Sequence, residues 1–497
     1  MRIVHSPQMS IGQTTIGDIK IDLSSRDDIP HILLGLKHIY TTPSIRERVF
    51  QILEEIVPCK DIEDESTPVS INKGRPGMDQ WKILVLGVLR VGLNTDYDRI
   101  QELANQHRTV REMLGHGIFD EEGNYRLQTI KDNVSLLTAE IMSRIDKVVV
   151  DAGHSLLGQS TNEDLNGRCD SSVVKTDVHF PTDTNLLFDS VRKMIETCAF
   201  LCTIYCLLGW RQSAFNIEQF KKLYRKVQRL RHSTSKNEKK RHARTEAIRT
   251  AHEAYLALAE FFLKRALATR DQLHEVHGVP LAMLADLSSY IDDTIRQIDQ
   301  IRRRVIEAET IPHKEKVFSI FERHTEWISK GKAGVPVELG IRVCIIEDIH
   351  GFILYHKVME NETDDQVAVE MVTETKKRFQ NFSACSFDKG FHSKKNQQDL
   401  AEELSRVVMP KKGKLSEEDK LREYSEEFIQ TKRLHSAVES AINALQVHGL
   451  DKCPDHGIEG FKRYVSLAVL ARNIHKLGAV KRRMEIELGM GHDRKVA

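Results

Sequence analysis

The chain has no apolar run long enough to cross a membrane. The longest, Ala199 to Trp210, is interrupted by Thr203 and falls short of the about 20 residues that a spanning helix needs. No basic-then-apolar segment opens the chain, so a secretory signal is not expected. No charge of either sign dominates: 73 Lys and Arg face 72 Asp and Glu, for a net charge of +1. A global basic field is excluded, and any DNA-binding charge must be local. The eight cysteines include no CxxC pair, which argues against a disulfide framework or a zinc ribbon and for a reducing cytoplasm. Cys198, Cys202 and Cys206 recur every four residues and read as a buried helix face rather than a metal site. A Gly-rich nucleotide loop, a Ser-His-Asp triad and a cysteine nucleophile are all missing. Cys453-Pro-Asp-His456 is too isolated for zinc. Neither internal repeats nor low-complexity tracts are evident.

What the chain does contain is length and a change of pattern along it. At 497 residues two to four domains are expected. Residues 1–146 read as a helical N-terminal domain, expected to bind DNA. An amphipathic helix near 43–57 stops at Pro58, and Asp61-Ile-Glu-Asp-Glu-Ser reads as a linker. Gly74-Arg-Pro-Gly precedes a helix that Asp79 can cap. Thr95 and Asp98 resemble a capping pair for the next helix, and a third is expected over 129–145. Short helices with tight turns suit a helix-turn-helix reader of DNA and a plain bundle alike.

Strand chemistry begins at 147, with Val148-Val-Val and then Ser171-Ser-Val-Val. His179-Phe-Pro-Thr-Asp is a turn, with a helix from Asn185. Residues 191–325 read as a helical insertion, with Leu284, Leu287, Ile291, Ile295, Ile298 and Val305 forming a seam. Residues 326–480 return to mixed structure. A hairpin is expected over 337–347 and 352–359, turning at Asp348-Ile-His-Gly. A helix over 364–379, a strand ending at Asp388, a helix over 393–405, a strand from Arg406 and further helix from about 425 to 477 follow. Residues 481–497 read as a tail. Without the insertion, the order strand, hairpin, helix, strand, helix, strand, helix specifies an α/β fold with a mixed sheet. That order matches a ribonuclease H-like core.

Three acids occupy settings suited to two-metal phosphoryl transfer. Asp170 opens the strand-type run Cys-Asp-Ser-Ser-Val-Val and is expected where a strand starts. Asp388 ends Phe-Ser-Ala-Cys-Ser-Phe-Asp and precedes Lys-Gly-Phe. Glu439 borders the apolar helix face of Val438, Ala441, Ile442 and Leu445. A polar stripe of Lys432, His435, Glu439, Asn443 and Gln446 runs beside it at spacings of three or four. Two-metal sites need a few carboxylates around ions about 3.5–4 Å apart. Mg²⁺ takes oxygen ligands, and strand ends hold carboxylates on a rigid scaffold. Asp151, after Val148-Val-Val, is the rival for the first position. Asp177 and Asp183 are assigned to the turn.

These segments resemble the DDE transposases of bacterial insertion sequences, in particular the ISNCY-type group. The resemblance rests on Cys169-Asp-Ser-Ser-Val-Val-Lys-Thr-Asp-Val-His-Phe-Pro-Thr-Asp-Thr-Asn-Leu-Leu, on Ile328-Ser-Lys-Gly-Lys with Pro336-Val-Glu-Leu-Gly, on Asp388-Lys-Gly-Phe, and on His435-Ser-Ala-Val-Glu through Arg472-Asn. With the Gly74-Arg-Pro region it covers most of the chain. It implies an RNase H-like core, the catalytic and metal-binding triad Asp170, Asp388 and Glu439, and two Mg²⁺ ions for which Mn²⁺ can substitute. It further implies terminal inverted repeats and target DNA as partners, a homodimer or larger assembly on DNA, and no membrane. Related groups often carry Tyr and Arg before the glutamate and Lys two turns after it. Here Lys432, His435 and Gln446 stand there, so phosphate gripping passes to Lys432 and Arg433.

Local basic charge is concentrated in residues 219–250. Lys221, Lys222, Arg225, Lys226 and Arg229 form one helix face opposite Phe220, Leu223, Tyr224, Val227 and Leu230, and are expected to meet phosphates. Lys236 to Arg244 reads as a loop. Lys330, Lys332, Lys411, Lys412 and Lys414 flank the core strands, where they can neutralise a scissile backbone. Trp210 can stack on an unpaired base or serve as core, and core is the expectation. The function expected is a cytoplasmic transposase that cleaves at element ends and transfers the 3′-OH to target DNA. A nuclease without strand transfer and a non-enzymatic DNA-binding derivative are the rivals.

Overall fold

The computed structural model describes residues 3–6, 8–9, 11–56, 77–120, 123–160, 163–230, 232, 234, 236–329 and 336–496; of 489–496 only the backbone is described. The linker expected at 61–66, the Gly74-Arg-Pro segment, Lys330 and Lys332 lie outside the described residues.

Among the described residues seven α-helices precede the first strand: α1 (Asp28–Thr41), α2 (Pro43–Glu54), α3 (Gln80–Gly92), α4 (Tyr97–Gln106), α5 (Arg108–Met113), α6 (Leu127–Val134) and α7 (Ala139–Leu156). Strand β1 (Leu165–Thr176) is followed by α8 (Asp183–Ile204), α9 (Ser213–Arg229), α10 (Glu238–Glu275) and α11 (Leu281–Ile301). Then come β2 (Glu326–Ser329), β3 (Val337–Asp348), β4 (Ile353–Met359), α12 (Asp364–Arg378), β5 (Phe382–Phe387), α13 (Lys394–Glu403) and β6 (Arg406–Val408). Helices α14 (Glu417–Glu423), α15 (Glu426–His435) and α16 (Ala437–Leu445), strand β7 (Lys452–Cys453) and α17 (Gly457–Val496) complete the chain.

The chain forms two compact units, Met1–Asp177 with Ile328–Ala497, and Val178–Trp327. The first holds an open mixed sheet in which β3, β1, β5 and β6 lie in that order, with β4 also on β3 and β7 on β1. The β3–β4 hairpin forms as expected, but the alternation does not hold through the core, where Val343 to Asp348 are all buried; Asp348 makes its turn by accepting from the backbone N–H groups of His350 (2.8 Å) and Phe352 (2.9 Å). Strand β1 lies centrally, antiparallel to β3 and parallel to β5. Helices α1, α3 and α7 share one apolar core with α17 and the sheet. The second unit has its own core, in which α11 buries Leu284, Leu287, Ile291 and Ile298 with residues of α8, α9 and α10. Ile295 departs from the expected seam and is 45% exposed.

Several local expectations are corrected. Val148-Val-Val is not a strand: it lies inside α7, where Ile141, Met142, Ile145, Val148, Val149 and Ala152 are all buried. That series steps by three and four, and the helical period outweighs the β preference of three branched residues. Helix α7 thus runs through the boundary expected at 146/147, and α17 runs through the one at 480/481. The helix expected over 129–145 is two helices, α6 and α7. Asp79 stands at the start of α3 without a side-chain cap and pairs with Lys82 at 3.5 Å. The next cap is Asp96, which accepts from the Arg99 N–H (2.8 Å), rather than Thr95. Residues from Glu238 onward are helix, not loop, and Asn237 accepts from the Lys240 N–H at their start. The sequence reading missed α1 altogether.

Candidate active site on the central strands

Cys169 of β1 and Phe387 of β5 are register partners, and both are buried. Side chains alternate along a strand, so Asp170 projects from the face opposite Cys169, and Asp388 follows directly where the neighbouring β5 ends. Such strands run about 4.7–4.9 Å apart. Asp170 therefore lies within β1 rather than at its start, and Asp388 is the first residue beyond β5.

Helices α15 and α16 bring the third acid to that face. Ser386, one step back from Phe387, is hydrogen-bonded through Oγ to Nδ1 of His435 (2.9 Å) at the end of α15. Ser436 then joins α15 to α16, whose buried Val438, Ala441 and Leu445 anchor it. Glu439 lies in its first turn and is exposed. The polar stripe read from the sequence is thus split between two helices.

Electrostatics tie the three together. Burial pushes the Asp170 carboxyl up to about 7, and the charges of Asp388, Asp364 and Glu439 push in the same direction; only the Ser171 N–H, donating at 2.7 Å, opposes them. His435 is lowered by burial and by Arg168, while Asp388 and Glu439 act to raise it. Arg168, the nearby cation, already faces Glu347 at 3.5 Å. Burial raises Glu347 as well, to about 7. The result is a group of acids in which Asp170 is partly buried while Asp388 and Glu439 are exposed, each adding negative charge at Asp170.

That negative charge and its all-oxygen donor set fit a hard divalent cation. Among the described residues these carboxylates do not form a group whose ligand atoms all lie within 4.8 Å of one another. A two-ion site does not require it, because carboxylates on different ions stand farther apart than those sharing one.

Asp364 is the member that sequence reasoning missed. It opens α12, where an aspartate reads as ordinary helix-start chemistry. Its Oδ1 accepts from the Ser171 hydroxyl (2.7 Å), one residue beyond Asp170. Its Oδ2 lies so close to Gly390 that a Cβ there would meet it at 2.6 Å. A larger residue in place of this glycine would have to displace the Asp364 carboxylate. Lys412 donates to the Gly390 carbonyl (3.1 Å), which puts one of the expected flanking lysines on the same turn. Lys411 instead pairs with Asp419.

The remaining residues singled out by sequence fall elsewhere. Asp151 lies on α7, paired with Arg48 and Lys147, both at 3.0 Å, and is no rival to Asp170. Asp177 pairs with Lys452 (2.6 Å) and Asp183 with Arg304. Lys222, Arg225, Lys226 and Arg229 are exposed on α9, Lys221 is half-buried, and Phe220 and Val227 face the core. Among the described residues none of the five makes an ion pair, nor do Lys432 and Arg433, which are exposed on α15. Trp210 is core: its Nε1 donates to Thr269 (2.9 Å) and Arg265 lies 4.3 Å from its ring centre. Cys198 and Cys202 are buried as expected, whereas Cys206 is exposed. Asp455 pairs with Arg90 (2.7 Å) and Arg463 (3.1 Å).

Compared with protein-family models, with curated proteins and with solved structures, the chain matches none. Among the described residues no helix is long and apolar enough to cross a membrane.

Proposed function

We propose that this protein is a DNA transposase of the DDE type, acting through an RNase H-like core. The reading draws support from the element order β1, hairpin β3–β4, α12, β5, α13, β6 and helix, built on a mixed sheet with β1 at its centre. The observation that carries it is the pairing of Cys169 with Phe387 on the central strands, which brings Asp170 of β1 to the end of β5 where Asp388 follows; burial, and next the charges of Asp388, Asp364 and Glu439, raise the Asp170 carboxyl. Residues remote in the chain add negative charge at Asp170, which suits a bound cation better than a structural role.

Asp170, Asp388 and Glu439 would hold two Mg²⁺ ions, with Mn²⁺ able to replace them. When bound, such ions activate an attacking oxygen and stabilise the leaving oxygen of a phosphodiester. Asp170 and Asp388 are positioned by the sheet. Glu439 is carried by α16, oriented through the His435–Ser386 hydrogen bond. Lys412 lies beside the Asp388 turn, where a phosphate would approach. Lys432 and Arg433 on α15, and the basic face of α9, supply backbone contacts with DNA. In this reading a 3′-OH freed at the element end attacks target DNA, and no covalent protein–DNA link forms. Assembly on two element ends as a dimer or larger belongs to the same proposal.

The test is incubation with the element's own end DNA, target plasmid and Mg²⁺. Cleavage with strand transfer is the expected result. Cleavage alone would reduce the protein to a nuclease, and binding without metal-dependent cutting would make it a non-enzymatic DNA-binding protein.

A further inference from the structure

On elements remote from the carboxylates, two imidazoles and one carboxylate converge. Asp28 opens α1, His475 lies on α17, and His448 sits in the irregular turn after α16. One ligand atom from each lies within 4.8 Å of the other two. Asp28 Oδ1 and His475 Nε2 are 3.1 Å apart. The rings of His448 and His475 are 5.0 Å apart, centre to centre. We propose that Asp28, His448 and His475 form a structural site for a transition-metal ion of the Zn²⁺ class.

Three observations carry this beyond coincidence. First, the tautomer of His448 is decided. Its Nδ1 lies 2.9 Å from the Gly92 carbonyl, which can only accept, so Nδ1 carries the proton. The lone pair of a neutral His448 is then on Nε2. A ligating histidine typically gives its other N–H to a carbonyl or carboxylate in this way. Second, His475 turns Nε2 toward the same point, 3.1 Å from Asp28 Oδ1, so a neutral His475 can offer that nitrogen and Asp28 that oxygen to one ion.

Third, the scaffold is rigid. Helices α1 and α17 meet backbone to backbone: a Cβ on Gly478 would fall 1.8 Å from the His31 carbonyl oxygen. No side chain keeps the helices apart, so Asp28 and His475 are held in register. A tetrahedral ion bound at about 2.0–2.2 Å spaces its ligand atoms about 3.4 Å apart. The Asp28–His475 pair is already near that spacing, and side-chain rotation brings in His448. Water takes the fourth place, since all three residues are only half-buried.

His31 also lies beside His475, with ring centres 5.0 Å apart. Its Nε2 faces the Arg482 guanidinium at 3.3 Å, however, so it is left out of the ligand set. Two nitrogen donors select Zn²⁺ over Mg²⁺, which distinguishes this site from the all-carboxylate one. The ion would clamp α1 and α17 to the turn that directly follows α16, the helix bearing Glu439. The site does not depend on the transposase reading.

The experiment uses the full chain carrying Asp170→Asn and Asp388→Asn, so that the acidic site does not take up Zn²⁺. After stripping with chelator, Zn²⁺ is titrated by calorimetry, and Co²⁺ is followed by its visible d–d spectrum. One Zn²⁺ per chain, a Tm that rises with Zn²⁺, and a tetrahedral-type Co²⁺ spectrum unaffected by millimolar Mg²⁺ are expected. His448→Ala and His475→Asn should each weaken binding by about 100-fold or more. Asp28→Asn removes a ligand whose side chain is 47% exposed, so it tests the site even if a histidine variant fails to fold. Absence of stoichiometric binding, or binding that Asp28→Asn and His448→Ala leave unchanged, overturns the proposal.

Discussion

Cys169 and Phe387 face each other across parallel strands, and each is followed by an aspartate. The chain separates these aspartates by more than two hundred residues, and the strand pairing brings the end of β5 to Asp170. Burial is the main cause of the raised Asp170 carboxyl, and the charge of Asp388 adds to it.

Replacing any of Asp170, Asp388 or Glu439 by Ala should reduce cleavage of element-end DNA by at least about three orders of magnitude, the scale on which loss of an indispensable catalytic group falls. DNA binding, measured by gel shift or anisotropy, should be largely retained. Undiminished cutting by a variant removes that residue from the site.

Stability without divalent metal should depend on pH through Asp170. Its folded-state value, about 7, lies above its ordinary value near 4. Between these the folded protein keeps a proton that the unfolded chain releases. Stability from this group is therefore full below about 4 and is lost as pH rises through 7. At pH 8, Asp170→Asn should raise the Tm by several degrees, on the order of a few kcal/mol, and the gain should vanish near pH 4. A thermal-melt series from pH 4 to 8 reads this directly; an equal gain at both ends contradicts the assignment.

Asp364→Asn keeps the shape but removes one of the charges bearing on Asp170. Cleavage should then require roughly tenfold more Mg²⁺, about 1.4 kcal/mol of lost cation attraction, while kcat at saturating Mg²⁺ changes less. A Mg²⁺ titration of rate separates this from a folding defect, which would lower the plateau instead.

His435 acts by position. Loss of its bond to Ser386 in His435→Ala should cost about 1 kcal/mol of stability and lower cleavage by shifting α16. His435→Gln, which can restore a hydrogen bond to Ser386, should recover part of the rate. No recovery would indicate that the imidazole contributes something beyond placement.

The basic face of α9 should answer to salt. Converting Lys222, Arg225, Lys226 and Arg229 to Glu should weaken DNA binding and flatten the plot of log K against log salt by about 0.9 for each phosphate no longer neutralised. An unchanged slope means that this face points to solvent in the complex.

Much of the framework is legible in the sequence because its signals are short-ranged. The β3–β4 hairpin shows in alternation around Asp348-Ile-His-Gly, and β5 in six strand-type residues before Asp388. Helix α9 shows in basic and apolar residues stepping by three and four. Each rests on turn chemistry or side-chain period within a dozen residues. Val148-Val-Val misleads because three branched residues fit a strand or a helix face equally; the core packed on α7 decides between them. Asp364 is invisible because a helix-starting aspartate already has an ordinary explanation. Only packing against Gly390 and Ser171 sets it beside Asp170. Spacing along a chain determines which face a residue takes within its own element. Which acids share a site depends on how distant elements are registered against one another, and that is a property of the packed whole.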